Sequence, residues 1–301
     1  MSGDLGVIFV NHHSEALSAP RVDRLLEAGL DTVVVDNSGS DRGPGRVIDA
    51  GANLGFGAAC NLGERELGPG VDRVCLHNPD VDSTVDALRQ LGDRLRAHRY
   101  PGAVAPAVRD AAILRPAGYR YPSASRELVL AAGVRRRRST TKSHVGPTAG
   151  RRFGTAALLV VDREAWHTIG GFDERFFLYA EDLDLWHRLR TTSRWVGFAD
   201  DVVVDHAQGE GSHLGRSKRE LLRWVGVELF AATSGVVDWR VLRRIHRAAL
   251  VRHKRRAPAL AAELALGFHR GDDPETIARH LRAGLADGSL LAEASVRETA
   301  V

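Results

Sequence analysis

The chain is 301 residues long, 44% hydrophobic and 27% charged. That length suits one large α/β domain or one domain with an appendage, and that balance excludes wholesale disorder. Net charge is +4, but residues 134–152 hold seven basic side chains and no acid, residues 216–256 hold twelve against three, and the remainder is net acidic. Two basic segments on an acidic body point to phosphate, a membrane surface or nucleic acid, or to two solvated faces. No apolar run approaches the roughly 18–20 residues that cross a bilayer. Met1-Ser2-Gly3-Asp4 lacks the basic-then-apolar pattern of a leader. Cys60 and Cys75 make neither a disulfide framework nor a C-x-x-C zinc pair. The expectation is a cytoplasmic protein.

In chain order, Leu5–Val10 is a short apolar run that suits a buried strand, and Glu15–Ala28 has helical spacing through Leu17, Leu25 and Leu26. Thr32–Val35 is β-branched and ends at the turn cluster Asp36-Asn37-Ser38-Gly39. Val47–Asp49 is a weaker strand, Gly55–Leu67 a helix, and Val74–Leu76 a strand that runs into His77-Asn78-Pro79-Asp80. Val85–Ala97 places Leu88, Leu91 and Leu95 on one helical face, and Ala103–Ala105 is a further strand. Ile113–Pro122 reads as hairpin or loop, and Arg135–Gly150 as a surface loop. Thr155–Val161 is a strand, Arg163–Ile169 a short helix, Glu181–Leu189 a helix, and Trp195–Phe198 and Val202–Val204 are strands. From Ser217 onward the chain is all helical. Strands alternating with helices predict a parallel sheet covered on both faces, with a helical extension over 216–301 following a domain over 1–215.

Ligands of open α/β sheets bind beyond the carboxyl ends of the strands. Asp36, the pair Asn78 and Asp80, and the pair Asp205 and His206 all stand at such ends, although each also suits a turn or a helix cap. Asn53–Gly63 is glycine-rich at a helix start, where free N–H groups favour anions. In Glu181-Asp182-Leu183-Asp184-Leu185-Trp186, a helix starting near Glu181 puts Asp182 on one face with Leu185, Trp186 and Leu189. A carboxylate on an apolar face is costly unless partnered or functional, which makes Asp182 the better candidate base and Glu181 a neighbour that orients it. Asp184 lies one turn before Arg188, the spacing of an ordinary salt bridge. All three acids also suit the positive end of a helix dipole.

Together these segments resemble the inverting glycosyltransferases of family 2. The resemblance runs from Val7 to about Ser212, in the family's order. It is carried by Val33–Ser38, by Asn53–Gly63, by Leu76-His77-Asn78-Pro79-Asp80, by Phe153–Ala157 with Gly170–Phe177, by Glu181–Leu185, and by Asp205-His206 with Gly209 and Ser212. It implies the GT-A fold, a Rossmann-like mostly parallel sheet flanked by helices. It also implies roles. Asp36, Asn53, Gly55, Asn61 and Asn78 would contact a nucleotide sugar. Asp80 and His206 would hold Mg²⁺ or Mn²⁺ against its diphosphate, Asp182 would take the acceptor's proton, and Phe177 belongs to the acceptor-side signature. The asparagine–proline–aspartate form and Phe176-Phe177-Leu178-Tyr179 are most similar to the rhamnosyltransferase-like branch, which implies a dTDP- or UDP-sugar donor, dTDP-rhamnose among them.

The chain departs from that pattern in two places. Asn78 is neutral where many members carry an acid, with Asp82 as the compensating acid or merely a helix-start residue. The first strand runs into Asn11-His12-His13, for which no metal role is claimed. Acceptors implied are a glycan, a lipid-linked glycan or a small hydroxyl compound. The basic amphipathic helix over Arg240–Arg256 suits an anionic inner membrane face, the body of the protein or a second copy. Nucleic acid is disfavoured, since no binding module appears and the basic stretches lack interleaved aromatics. The competing readings are a sugar-phosphate nucleotidyltransferase, which would need a basic glycine-rich loop where Asn11–Ser14 stands, and a non-catalytic GT-A-like binding scaffold, favoured by Asn78.

Overall fold

The computed structural model describes residues 4–40, 43–110, 113–115, 118–131, 152–206, 214–254 and 257–290. The Arg135–Lys142 segment, Gly209 and Ser212 lie outside the described residues. In chain order the elements are β1 (Asp4–Asn11), α1 (Glu15–Glu27), β2 (Asp31–Asp36), β3 (Arg46–Asp49), α2 (Phe56–Glu66), β4 (Val71–His77), β5 (Val81–Asp82), α3 (Val85–Arg96), β6 (Pro101–Asp110), β7 (Ile113–Arg115) and β8 (Tyr119–Arg120). There follow α4 (Ala124–Ala131), β9 (Arg152–Phe153), β10 (Leu158–Asp162), α5 (Arg163–Ile169), α6 (Glu181–Thr191), β11 (Trp195–His206), α7 (Arg216–Ser234), α8 (Trp239–Ala249), α9 (Pro258–Arg270) and α10 (Pro274–Ala286). These form two compact units. One takes the described residues of 1–121, 139–173 and 182–212, and the other those of 122–138, 174–181 and 213–301.

The first unit is built on a sheet of nine described strands in the order β3-β2-β1-β4-β10-β6-β11-β5, with β7 paired to β6. Strands β3, β2, β1 and β4 are mutually parallel, as are β6 and β11. Strand β10 runs antiparallel between β4 and β6, so the sheet is mixed where its middle was expected to be parallel. Hydrophobic pattern reports burial and not direction, so the reversal was invisible in the sequence. Likewise Trp195–Phe198 and Val202–Val204 are one strand, broken only by a register shift between Ala199 and Val203.

Alternation along the strands feeds two cores. Leu5, Val7 and Phe9 of β1 join Val22 and Leu25 of α1 and Leu88, Leu91 and Leu95 of α3. Ile8 joins Val33, Val35 and Leu76, with Cys60 of α2, Trp166 of α5, and Leu185, Trp186 and Leu189 of α6. Helices therefore cover both faces. Each fully buried leucine contributes about 2 kcal/mol of transfer free energy. The two cysteines are buried in different cores and are not joined by a disulfide.

The second unit is helical. Leu221, Leu222, Trp224, Leu260, Leu264, Phe268, Ile277 and Leu281 form its core. Inside it lies an ionic cluster. Glu127 of α4 accepts two hydrogen bonds from Arg223 of α7, at 3.1 and 2.8 Å. Glu228 of α7 is held by Arg243 and, at 2.7 Å, by His246 Nδ1 of α8. His246 Nε2 lies 3.6 Å from Glu127, and its ring stacks on Trp224 at 4.8 Å. Burial disfavours charge on Glu127, yet His246 and Arg223 outweigh it and hold the carboxyl at about 2. Burial likewise opposes charge on His246, and the two carboxylates around it raise its pKa nonetheless.

Removing one member of such a cluster strands its partners. Glu127→Ala is expected to lower unfolding free energy by roughly 3–5 kcal/mol, read by denaturant titration. The sign with pH follows from the two shifts. The Glu127 contribution is complete above the ordinary carboxylate value of 4.5 and is lost as pH falls toward about 2. The His246 contribution is complete below 6.5 and is lost as pH rises through its raised value. The cluster therefore stabilises most between these limits, and Glu127→Ala should flatten the pH dependence.

Candidate active site

The candidate residues of the first unit gather at the carboxyl edge of its parallel strands. Asp36 ends β2 and is 1% exposed. Its Oδ1 accepts from Ser38 N and Ser38 Oγ, both at 2.7 Å, and from Gly39 N at 3.1 Å, which folds the following turn around the carboxylate. The next residue, Asn37, donates to Gly55 O at 3.1 Å and accepts from Leu54 N at 3.3 Å. The end of β2 is thereby stitched to the glycine-rich segment. Asn53 Oδ1 accepts from Gly55 N at 3.1 Å, and Gly55, at φ 83°, caps α2 with no side chain over the helix end. Asn37 stood in the turn cluster of the sequence, but only the fold shows what it bridges.

Asn61 is tied to a distant backbone. Its Nδ2 donates to Phe172 O at 2.9 Å, and its Oδ1 accepts from Phe172 N at 2.8 Å. Both ends of the amide grip one backbone residue more than a hundred positions away. Asn61 is a bracket between α2 and the Gly170–Phe172 loop. Asp184 also has a structural occupation. It is buried and paired with Arg188 at 2.7 Å, and Arg188 donates to Ile169 O and Gly171 O at 2.8 Å each. The i,i+4 salt bridge read from the sequence is present.

Beyond β4, the Asn78–Val81 turn closes through Val81 N to Asn78 O at 3.1 Å. His77, the last residue of β4, supports it. Nδ1 lies 2.9 Å from Asn78 O and Nε2 lies 2.8 Å from Ser83 Oγ. Burial pushes His77 down to about 4, so at neutral pH the ring is uncharged, with Nδ1–H the donor to the carbonyl. In the sequence His77 stands directly before Asn-Pro-Asp, but only the fold shows that it braces the turn. Strand β5 pairs with the end of β11, His206 opposite Val81. This brings His206 Nε2 to 3.1 Å from Asp80 Oδ1 across 126 residues. Asp82 does not join them. It is paired with Arg24 at 2.9 Å, with a side chain 54% exposed.

Asn78 Oδ1 is buried and has no hydrogen-bond partner among the described residues. A buried carbonyl oxygen without a donor is costly. Asn78 Oδ1, the Asp80 carboxylate on the same turn and the His206 imidazole beside it are the oxygen and nitrogen donor types that suit a hard divalent cation. Among the described residues no group of three or more His, Cys, Asp or Glu could hold a metal. Such a cation would therefore need further ligands from outside this set, as Mg²⁺ commonly takes from substrate phosphate.

Asp182 sits in the first turn of α6. Its Oδ1 accepts from Leu183 N at 2.7 Å and its Oδ2 from Ala156 N at 3.4 Å. Burial raises its pKa to about 6, against the opposing pull of those hydrogen bonds. Tyr119 of β8 is raised by its own burial and then by the charge of Asp182. Tyr119 came from a stretch without regular pattern, and nothing in the sequence marked it. One residue beyond Ala156, Ala157 O accepts from Asn78 N at 2.8 Å. Asp182 and the Asn78–Asp80 turn are thus both moored to the Ala156–Ala157 segment, at one edge of the sheet. Glu181 is buried at the start of α6. Phe177 belongs to the second unit, packed in its helical core with Leu221 and Leu222.

No family model matches the chain. It is 32% identical over 219 residues to the N-acetylglucosaminyl-diphospho-decaprenol L-rhamnosyltransferase of Mycobacterium tuberculosis, in both strain CDC 1551 / Oshkosh and strain ATCC 25618 / H37Rv. The match covers 56% of this chain and 66% of each relative, so the chain spans just under two thirds of the curated relatives it matches. Among solved structures it resembles the mannosyltransferase PcManGT from Pyrobaculum calidifontis in complex with GDP-Man and Mn²⁺, with a TM-score of 0.54 at 17% identity over 95% of this chain and 82% of that one. A second neighbour, described as a mycobacterial protein, gives a TM-score of 0.52 at 14% identity over 79% of this chain and 76% of that one. At such identities the structural likeness establishes the fold, which is GT-A. In sequence the chain resembles those rhamnosyltransferases over part of their length.

The bracket assignment for Asn61 is open to direct test. Asn61→Leu leaves the N–H and C=O of Phe172 without partners and is expected to lower unfolding free energy by about 2 kcal/mol. Affinity for dTDP with Mn²⁺, measured calorimetrically at a temperature where the variant is folded, should change less than twofold. A large selective loss of affinity would return Asn61 to the donor site.

Proposed function

We propose that this chain transfers a sugar, L-rhamnose above all, from a dTDP- or UDP-sugar to a hydroxyl of a lipid-linked glycan, with inversion at the anomeric carbon. The observation that carries this reading is the joint mooring of Asp182 and the Asn78–Asp80 turn to Ala156–Ala157. The relatives' name, which specifies rhamnosyl transfer to an N-acetylglucosaminyl-diphospho-decaprenol, supports the donor and acceptor classes.

Asp182 would act as general base. With a pKa of about 6 it is mostly ionised at neutral pH, yet more basic than an exposed carboxylate, which is the tuning a proton acceptor needs. It takes the proton of the acceptor hydroxyl as that oxygen bonds to the anomeric carbon and the bond from that carbon to the diphosphate oxygen breaks. The nucleoside diphosphate leaves with the bonding pair. Asp36, with the turn it organises, and the Asn53–Gly55 cap of α2 would bind the nucleotide and its diphosphate. Asp80, His206 and Asn78 Oδ1 would hold Mg²⁺ or Mn²⁺. A cation held there would supply neutralisation of the charge on the leaving diphosphate.

Asp182→Asn is expected to lower kcat at least a hundredfold with little change in dTDP affinity. Because the base must be ionised, wild-type turnover should fall as pH drops through about 6, one proton per active site. Asp80→Asn or a chelator should abolish transfer. Product with retained anomeric configuration, or full activity in chelator, would sink the reading.

We further propose peripheral contact with an anionic membrane. Among the described residues no helix is long and apolar enough to cross one. On the second unit, Leu128 and Val251 are 58% and 64% exposed, and Leu130 is also exposed, while Arg240, Arg244, Arg247 and Lys254 are exposed on α8 and just beyond it. Apolar side chains among cations suit a surface of acidic headgroups. The chain should co-sediment with vesicles containing phosphatidylglycerol and not with phosphatidylcholine alone. Arg244→Glu with Arg247→Glu should abolish that binding and leave turnover of a short-chain acceptor intact.

A further inference from the structure

Gly154 lies between β9 and β10 and is buried. The missing side chain there is a requirement of packing. A Cβ on Gly154 would collide with Trp186 Cζ2 of α6, and would stand 2.6 Å from Ala105 Cβ of β6 and 2.9 Å from Trp186 Cε2. Neither neighbour can yield. The Trp186 indole is fully buried and stacks on Phe198 of β11 at 5.1 Å. Ala105 is fully buried as well, in register with that same Phe198, and its methyl has no rotamer to change. A core packed this closely has no room for one more methyl. The backbone at 154 therefore lies directly against the indole, as only glycine allows.

Trp186 stands one helical turn beyond Asp182, on the same side of α6. Two residues beyond Gly154, Ala156 gives its N–H to Asp182 Oδ2 at 3.4 Å. The 154–156 strip thus runs along α6 and meets it twice, at Trp186 through an absent side chain and at Asp182 through a hydrogen bond. Its far end is fixed, since Ala157 O accepts from Asn78 N and Leu158 opens β10. At 3.4 Å the bond is near the upper limit for such contacts, so an outward shift of about half an ångström breaks it.

We infer that Gly154 is a positioning residue for the proposed transfer: its missing side chain seats the 154–156 backbone against Trp186, and that seat holds the Ala156 N–H on Asp182. This rests on the reading of Asp182 as general base. All the residues it invokes belong to the first unit. In the sequence Gly154 was one residue of the Phe153–Ala157 segment. The packing gives it a part in orienting the reacting carboxylate.

The test uses the full chain with dTDP-L-rhamnose, Mn²⁺ and a short-chain prenyl-diphospho-N-acetylglucosamine acceptor. Gly154→Ala is expected to lower kcat on its high-pH plateau about tenfold, with dTDP affinity within about twofold of wild type. The Ala156 N–H favours the ionised carboxyl, so its loss adds to the effect of burial and raises the pKa of Asp182. The fall of turnover at low pH should therefore set in about half a pH unit higher in the variant than in wild type. Tyr119 of β8, which senses the charge of Asp182, stays neutral in that range, because burial and then Asp182 raise its own pKa above the ordinary 10. Amide hydrogen exchange at Ala156 should be faster in the variant, with the central strands unchanged. A merely structural role would lower activity without moving the pH profile. Should Gly154→Ala fail to fold, an ester in place of the amide between Thr155 and Ala156, introduced with lactic acid at position 156, removes the same N–H and adds no bulk. It is expected to shift the profile in the same direction. A folded Gly154→Ala with an unmoved profile, or with kcat within about twofold of wild type, overturns the inference. So does a parallel loss of dTDP affinity, and so does an ester variant with an unmoved profile. Asp182→Asn separates the two ideas. If it is fully active, the base assignment fails and the inference fails with it. If it is inactive beside a fully active Gly154→Ala, only the inference fails.

Discussion

Two hydrogen bonds to adjacent residues organise the first unit's candidate site. Ala156 offers its N–H to Asp182, and Ala157 offers its carbonyl to the N–H of Asn78. The segment lies where β10 enters the sheet beside β4, with Leu158 opposite His77. Because β10 runs antiparallel to β4, its amino end meets the carboxyl end of β4. A parallel strand in that place would have brought its own carboxyl end there and left nothing to connect the Asn78–Asp80 turn with α6. The reversal of one strand is therefore what allows a proton acceptor and a cation-binding turn to share a sheet edge.

Around that link, polar residues divide by what they already hold. Asp82 is engaged by Arg24, Asp184 by Arg188, and Asn61 by the backbone of Phe172. These interactions brace the loops. Asn78 Oδ1 and the Asp182 carboxyl differ from them. Among the described residues the first is buried without a donor, and the second is held by backbone N–H groups with no cation among its hydrogen-bond partners. A carboxylate raised to about 6 by burial and a carbonyl oxygen lacking a donor are both unfavourable in the folded chain alone. Groups of that kind are where ligand and chemistry belong.

The second unit follows the same logic with a different outcome. Its buried charges are paired with one another, Glu127 and Glu228 with Arg223, Arg243 and His246. Such a cluster rewards one geometry and penalises others, since any slippage leaves a charge in an apolar core. It ties α4, α7 and α8 together. Helix α7 thereby becomes a firm surface, and at Gly226 the Tyr179–Ala180 backbone lies where a Cβ would stand.

Much of this was legible in the chain itself. Strand and helix positions follow from hydrophobic period, which depends only on near neighbours: Val33–Val35, the Leu88-Leu91-Leu95 stripe and the Asp184–Arg188 pair all stand where their spacing put them. The residue types that suit a nucleotide-sugar site were visible too, as was their order. Partnership between distant residues was not. His206 meeting Asp80, Asn61 gripping Phe172, Tyr119 near Asp182 and Glu127 among the helices each join residues far apart in sequence. Local spacing determines which face of an element is apolar and which residues are adjacent along it. Strand direction and the closure of long loops depend on how whole faces pack, so only the tertiary structure decided which acids are neutralised and which remain for chemistry.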